Sequence, residues 1–251
     1  MTLRFDGKVV AVSGTGHGLG RATARSFAAM GAQVFACDVR PAPLAETAST
    51  GGIEAAVVDL ADRAAAKAWI GEVERRSGQA VYCLVNNAGG VAGQVPEPLE
   101  EVSDEAGDRI FAVNVNAAMA LCRAAAPGMK RAKQGRIVNI SSGAGLQASL
   151  TGIQAYCSAK HAVVGLTRQL AHEFGPFNIR VNAVAPGFIR SNPSTEKQWE
   201  SYGADGQRAL VERIAMKRLG SAQDIANAVI FFASDLAGFV NGQIISVDGG
   251  R

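Results

Sequence analysis

The stretch VVAVSGTGHGLGRATA, residues 9–24, passes from an apolar run through a glycine cluster into a helical pattern. Val9, Val10, Ala11 and Val12 read as a strand buried on both faces. Glycines follow at 14, 16, 18 and 20, and a helical pattern opens at Leu19. Glycines at such a junction let the chain turn sharply and bring a phosphate against free N–H groups of a helix N-terminus. The strict G-x-G-x-x-G spacing is absent, because Leu19 stands where its third glycine would fall. The spacing is instead Gly14-x-x-x-Gly18-x-Gly20, with His17 a possible phosphate partner inside it. Gly16 is an extra glycine for which the spacing supplies no role. A plain turn uses the same residues, and only the strand-to-helix context favours a nucleotide cradle.

Outward from this stretch, strand-like runs recur at 8–13, 33–37, 54–59, 81–86, 136–141, 179–185 and 243–247. Helical patterns fill the intervals at 18–30, 62–77, 103–131, 154–174 and 222–234. This alternation predicts an α/β fold: a single doubly wound, Rossmann-like parallel sheet of about seven strands with helices on both faces. No linker or repeat divides residues 1–251, so one dinucleotide-binding catalytic domain is expected. The patternless stretch near 187–215 is expected to form a substrate loop or lid over the ligand crevice.

Composition excludes several classes. Charged residues make up 19% of the chain and the formal net charge is +3, which gives no nucleic-acid surface. The densest basic group, Lys130, Arg131, Lys133 and Arg136, ends a predicted helix, where cations suit the dipole. Cys37, Cys83, Cys122 and Cys157 form no C-x-x-C pair, so no metal site is expected and the thiols read as small buried side chains. The opening residues Met1 to Asp6 carry no apolar leader, and no run reaches the ~18 apolar residues that span a bilayer. A reducing cytoplasmic setting without membrane contact is expected.

Three further places carry chemistry. Asp38 ends the second strand, 18 residues after Gly20. A carboxylate there can hold the adenosine ribose hydroxyls and repel a 2′-phosphate, which favours NAD over NADP. A strand-end turn uses aspartate as well, and Arg40 is a second possible phosphate partner. Tyr156 has a lysine, Lys160, four residues on, so in a helix phenol and ammonium share a face. An adjacent cation in a dry cleft can lower a phenol toward neutral pH for acid–base work, though surface Tyr/Lys pairs have this spacing too. Ser141 and Ser142 end an apolar strand where hydroxyls reach a ligand crevice, and a strand-end turn uses serines as well. Asn114 sits among Val113, Val115 and Ala117 inside an apolar helical pattern, where a buried amide needs partners; plain packing polarity is the alternative reading.

Together these residues resemble the short-chain dehydrogenase/reductase family over essentially the whole chain. The matching segments occur in the family's order: Ser13-Gly14…Gly18-Leu19-Gly20, Asp59-Leu60, Asn87-Ala88-Gly89, Asn114, Ser142, Tyr156…Lys160, Arg180-Val181-Asn182, Pro186-Gly187 and Val247-Asp248-Gly249-Gly250. The resemblance implies that Tyr156 is the general acid/base and that Lys160 lowers its pKa and binds the nicotinamide ribose. It implies that Ser142 polarises the substrate oxygen and that Asn114 supports a water relay to Lys160. Pro186, Gly187, Ile189 and Ser191 would seat the carboxamide, Asp59 and Leu60 would flank the adenine, and the assembly would be a homotetramer built partly through 103–131 and 154–174.

The chain departs from the family pattern at Ser13 and Ser191, where threonine is common, and in the Ser142–Tyr156 spacing of 14, one longer than usual. It also has Gly107 where the family usually places a large apolar residue, so a gap beside the helix is expected there. The function implied is NAD-dependent hydride transfer between a secondary alcohol and its ketone, on a small-molecule substrate. The alternatives are an NADPH-dependent 3-oxoacyl reductase and a non-catalytic dinucleotide-binding protein.

Overall fold

The computed structural model describes residues 3–251; Met1 and Thr2, with which the expectation about a leader begins, lie outside the described residues. Among the described residues seven strands form one parallel sheet: β1 (Val9–Ser13), β2 (Gln33–Asp38), β3 (Ile53–Val57), β4 (Cys83–Asn86), β5 (Gly135–Ile140), β6 (Ile179–Pro186) and β7 (Ile244–Val247). Their spatial order is β3-β2-β1-β4-β5-β6-β7, so the sheet changes direction between β1 and β4. Ligands of open α/β sheets bind at the carboxyl ends of the strands at such a switch point. Every residue of β1, β4, β5 and β6 is buried, which is why these strands are written in near-continuous apolar residues.

Helices cover both faces. On one side α3 (Arg63–Ser77) and α5 (Ala117–Ala132) pack Trp69, Ile70, Leu121 and Met129 against β1 and β4 to β6, with α6 (Gln154–Phe174) beside them. On the other, α1 (Gly18–Ala29) meets α9 (Ala222–Ala233), burying Phe27, Val229 and Phe232. Local signals set the ends: Asp62 caps α3 by accepting from the Ala64 N–H at 2.8 Å, and Gly78 stops it in the left-handed region. Arg180 donates to the carbonyls of Phe232 and Ser234, both at 2.9 Å, tying β6 to the end of α9. The Asn182 amide holds Val240 and Gln243 and so sets the approach of the edge strand β7.

Four expectations need correction. The 103–131 pattern is not one regular helix: α4 (Asp104–Phe111) passes through a π-helical turn, Ala112–Asn116, into α5. The Asn114 side chain causes the break, because its Nδ2 takes the Ile110 carbonyl at 2.8 Å. The combined stretch Asp104–Ala132, with a mean hydropathy of 1.3 over its most apolar window, is long and apolar enough to cross a membrane by length and composition, contrary to the expectation that no run is; half of that window is buried inside the fold. The 187–215 stretch holds two helices, α7 (Pro193–Ser201) and α8 (Gly203–Glu212). A third unforeseen helix, α2 (Pro41–Ala48), follows β2. At the half-buried Gly107 a Cβ would meet nothing within 4 Å, so open space lies beside α4 there.

Candidate active site

The site is built from loops at the carboxyl ends of β1, β4, β5 and β6. The loop after β1 carries Gly14 and Gly18, both at positive φ (68° and 55°), and delivers the chain to α1. Helix α1 has no side-chain cap at His17 and no acid in its first turn. The N–H groups of Gly18, Leu19 and Gly20 are thus left for an anion, as a dinucleotide pyrophosphate requires. His17 is half-buried, and burial followed by the nearby Arg40 charge holds its imidazole below the usual value.

Gly16, unexplained by spacing, has a definite task. Its N–H donates to Asp38 Oδ2 at 2.8 Å, and a Cβ would stand 2.8 Å from that same oxygen. Asp38 Oδ1 accepts from the Arg40 N–H at 3.0 Å and from Arg40 Nε at 3.2 Å. Burial pushes the Asp38 carboxyl up, but the hydrogen bonds from Gly16 and Arg40 outweigh it and leave the group below its ordinary value. The carboxylate is therefore ionised and aimed at the glycine loop. Asp59 follows β3, is exposed, and accepts from the Ala61 N–H at 2.9 Å, while Leu60 is buried in the core beneath.

Sequence reasoning missed the staple behind this loop. Arg21 donates to the Gly16 carbonyl, to Thr47 Oγ1 at 3.0 Å and to Glu46, and Thr47 Oγ1 donates to the Thr15 carbonyl at 2.6 Å. These bonds fasten the glycine loop to α2. The only signal for α2 is Pro41 at its first turn, too little to mark a short helix.

The loop after β4 is fused to the glycine loop. Ser13 Oγ accepts from the N–H groups of Asn87 and Ala88, each at 3.1 Å, and Asn87 Nδ2 donates to the Ser13 and Gly14 carbonyls at 3.0 and 2.7 Å. The Ser13 hydroxyl is the group that this joint uses. Gly89 lies against the Asn114 amide, and Asn114 also holds both the N–H and the carbonyl of Gly90, at 3.0 and 2.8 Å. Asn114 is 2% exposed, so its amide must be satisfied internally, and these bonds do it.

Ser142 follows β5, accepts from the Ala144 N–H at 3.1 Å and opens the tight turn Gly143–Gly145. Tyr156 and Lys160 lie on one face of α6, with Lys160 Nζ 5.7 Å from the Tyr156 ring centre. Lys160 is 4% exposed; burial pulls its ammonium down to about 8, and Nζ donates to the Ile140 carbonyl at 2.9 Å. Burial pushes the Tyr156 phenol above its ordinary value, and the Ser142 hydroxyl opposes that rise. In the chain by itself the Tyr156 phenol thus lies above its ordinary value, with Ser142 as the group that opposes burial.

The segment after β6 crosses over to the glycine loop. Gly187 donates to the Val247 carbonyl at 3.0 Å, and Pro186 ends β6 with its side chain buried. Ile189 is a core residue, 5% exposed, bridged to Gly220. A Cβ on Gly18 would stand 2.8 Å from the Ser191 carbonyl, so Ser191 rests on the phosphate cradle. Beyond it Phe188 stacks on Trp199 with ring centres 6.1 Å apart and leans on Tyr202 at 5.8 Å, so these aromatics brace α7. Contacts thus link Ser142 and Lys160 to Tyr156, Gly89 to Asn114 and Lys160, and Ser191 to the glycine loop that Asp38 also meets.

Known proteins share this fold. Residues 14–251 match the family model described as "Enoyl-(Acyl carrier protein) reductase". The chain is 34% identical to the 3-oxoacyl-[acyl-carrier-protein] reductase of Thermotoga maritima, covering 99% of each chain. It is 36% identical to the meso-2,3-butanediol dehydrogenase of Serratia marcescens, covering 99% of this chain and 96% of that one. The crystal structure of a levodione reductase superposes with a TM-score of 0.90 at 32% identity, covering 98% of both chains. The chain belongs to the short-chain dehydrogenase/reductase family and is an NAD(P)-type oxidoreductase acting on CH–OH groups.

Proposed function

We propose that this short-chain dehydrogenase/reductase is an NAD-dependent enzyme that interconverts a secondary alcohol and its ketone, with Ser142, Tyr156, Lys160 and Asn114 as its reacting set. The observation that carries the reading is the convergence of the Ser142 hydroxyl, the Tyr156 phenol and the buried Lys160 ammonium at the same carboxyl edge of the sheet as an uncapped helix N-terminus. The donor set suits a dinucleotide: free N–H groups at Gly18, Leu19 and Gly20 for the pyrophosphate, and the Asp38 carboxylate for a ribose diol.

When bound, the nicotinamide supplies the hydride acceptor or donor. The chain supplies everything else. Tyr156 Oη gives or takes the proton at the substrate oxygen, and Ser142 Oγ holds that oxygen in place. Lys160 puts positive charge beneath the phenol and favours its ionised form once the crevice is closed. Asn114 holds the 89–90 turn and leads a water chain toward Lys160. Asn87, Ala88, Gly89, Pro186, Gly187, Ile189 and Ser191 frame the nicotinamide half, Asp59 and Leu60 the adenine edge, and His17 the phosphates. Residues 187–215 act as the lid that keeps water from the reacting carbon.

The cofactor preference rests on Asp38, since a 2′-phosphate would face an ionised carboxylate. One observation favours a second reading, an NADPH-dependent 3-oxoacyl reductase: Arg40 sits on Asp38 and offsets its charge, and a relative bears that reductase name. Turnover of a panel of vicinal diols, polyols, hydroxy acids, cyclic alcohols and 3-hydroxyacyl thioesters with NAD and with NADP tests the proposal. Faster turnover of an alcohol with NAD supports it; turnover confined to NADP and thioesters replaces it with the second reading. No turnover of any member with either cofactor leaves the non-catalytic alternative. A homotetramer joined through α4–α5 and α6 is proposed for the assembly, and light scattering on the eluted protein reads its mass. Four unpaired cysteines suit a reducing compartment such as the cytoplasm.

A further inference from the structure

The end of β5 and one residue of α6 exchange a reciprocal pair of hydrogen bonds. Lys160 Nζ donates to the Ile140 carbonyl at 2.9 Å, and Ser141 Oγ donates back to the Lys160 carbonyl at 3.1 Å. Both residues are buried, Ser141 at 2% exposure and Lys160 at 4%, so neither bond competes with bulk water. Sliding α6 along β5 by a single residue would break both bonds together. The turn that follows closes the third side: a Cβ on Gly145 would overlap Ser141 Oγ and come within 2.7 Å of the Lys160 carbonyl oxygen. Only a bare glycine lets the turn press the hydroxyl onto that carbonyl. Two turns further along α6, Asn139 Nδ2 donates to Thr167 Oγ1 at 2.9 Å, so the same strand is pinned to the same helix twice.

The covalent route between the two sides is poor at setting distance. Ser142 and Tyr156 are 14 residues apart, and the connecting loop exposes Leu146 and Leu150 to solvent. Ser142 directly follows Ser141, and Tyr156 lies one turn before Lys160 on the same helix face. The latch therefore grips the neighbours of both groups, while the loop merely joins them.

We propose that Ser141 is a positioning residue, whose hydroxyl, held on the Lys160 carbonyl by the close approach of Gly145, sets the separation of Ser142 and Tyr156. The inference rests on the reading of Ser142 and Tyr156 given under Proposed function. Ser141 does not touch substrate: its one proton is spent on a backbone carbonyl.

The test uses full-length Ser141→Ala, Ser141→Thr and Tyr156→Phe with the alcohol of the panel that the wild type oxidises fastest. Misplacement of reacting groups by about an ångström costs up to roughly 100-fold, so kcat of Ser141→Ala is expected to fall between about 10- and 100-fold. Its NADH affinity, read by fluorescence, is expected to stay within about twofold, and KM for the alcohol to move less than kcat. Ser141→Thr keeps the donor and restores most of kcat. A folded Ser141→Ala within about twofold of wild-type kcat overturns the inference, as does a folded Ser141→Thr no faster than Ser141→Ala. If Ser141→Ala does not fold, Gly145→Ala takes its place with the same expectation and the same overturning result. Wild-type-like turnover by Tyr156→Phe removes the reading of the site itself, a failure distinct from an inert latch; absence of any wild-type turnover removes both.

Discussion

Gly16 gives its backbone N–H to Asp38 at 2.8 Å, and a methyl group on Gly16 would stand just as close to the same oxygen. The hydrogen bond and the missing side chain are one device, because the bond forms only where no Cβ intervenes. Gly16→Ala must therefore push the Asp38 carboxylate away from the loop that frames it. Loss of a hydrogen bond to a charged group costs about 1.5–3 kcal/mol. NADH is accordingly expected to bind roughly tenfold or more weakly, with α1 intact by circular dichroism. Fluorescence titration of NADH measures this, and unchanged affinity would remove Asp38 and Gly16 from the cofactor site.

Asp38 also carries a pH signature. Its folded-state pKa lies below the ordinary carboxylate value. The stability it contributes is present above the unfolded pKa and is lost as pH falls through the lowered folded value. Asp38→Asn should flatten the acid limb of the stability curve, with little change near neutral pH in how that curve slopes. The same substitution removes the charge facing a 2′-phosphate, so the NADP-to-NAD ratio of kcat/KM should rise. Urea midpoints across the acid range and paired cofactor assays report the two effects separately.

Tyr156→Phe deletes one oxygen from a largely buried ring and leaves the packing of α6 almost unaltered. Turnover is expected to fall to background, since removal of a general acid/base typically costs about 10²–10⁴-fold. NADH is expected to bind as before. Steady-state rates together with a fluorescence titration decide it: retained turnover would take the proton-transfer role from Tyr156.

How far the sequence announces this site depends on how local each signal is. The strands are legible because burial on both faces forces continuous Val, Ile and Ala runs, and strand–helix alternation then dictates the doubly wound sheet. Tyr156 and Lys160 are legible because helical spacing alone puts them on one face. Gly16 and Ser141 are opaque, because their partners, Asp38 and the Lys160 carbonyl, lie 22 and 19 residues away and meet them only after the sheet forms. The π-helical turn is opaque for another reason: Asn114 is plain in the sequence, but its capture of the Ile110 carbonyl competes with a regular helix that the same residues also favour. Helices α7 and α8 escape notice because α7 buries no residue and α8 only Leu210, which leaves little apolar period to read.

Lys160 ties function to a cost in stability. Burial holds its folded pKa at about 8 against an ordinary value of 10.5. The unfolded chain therefore binds more protons between these values, and stability rises with pH across that window. Below pH 8 the folded chain keeps a desolvated ammonium, a penalty of roughly 3 kcal/mol before the bond to Ile140 is counted. In the cofactor-free protein Lys160→Met is expected to raise the denaturation midpoint near neutral pH and to abolish the climb between pH 8 and 10.5, while turnover disappears. Urea unfolding at several pH values measures this, and an unchanged pH profile would show that the ammonium is hydrated in the folded state.

Gly107 offers the opposite case, a residue whose replacement should improve the fold at no cost to the site. It lies in the middle of α4 on a face where a Cβ meets nothing within 4 Å. Ordinary φ and open space leave only the entropic penalty of glycine in a helix, about 1 kcal/mol relative to alanine. Gly107→Ala should therefore stabilise the protein by roughly that amount, without changing kcat or NADH affinity. A large apolar side chain at the same position would project outward from α4, so Gly107→Trp is expected to alter the mass of the assembly more than the stability of the protomer. Urea titration and light scattering on both variants separate the effects. A destabilised Gly107→Ala would show that a neighbouring chain presses against this face.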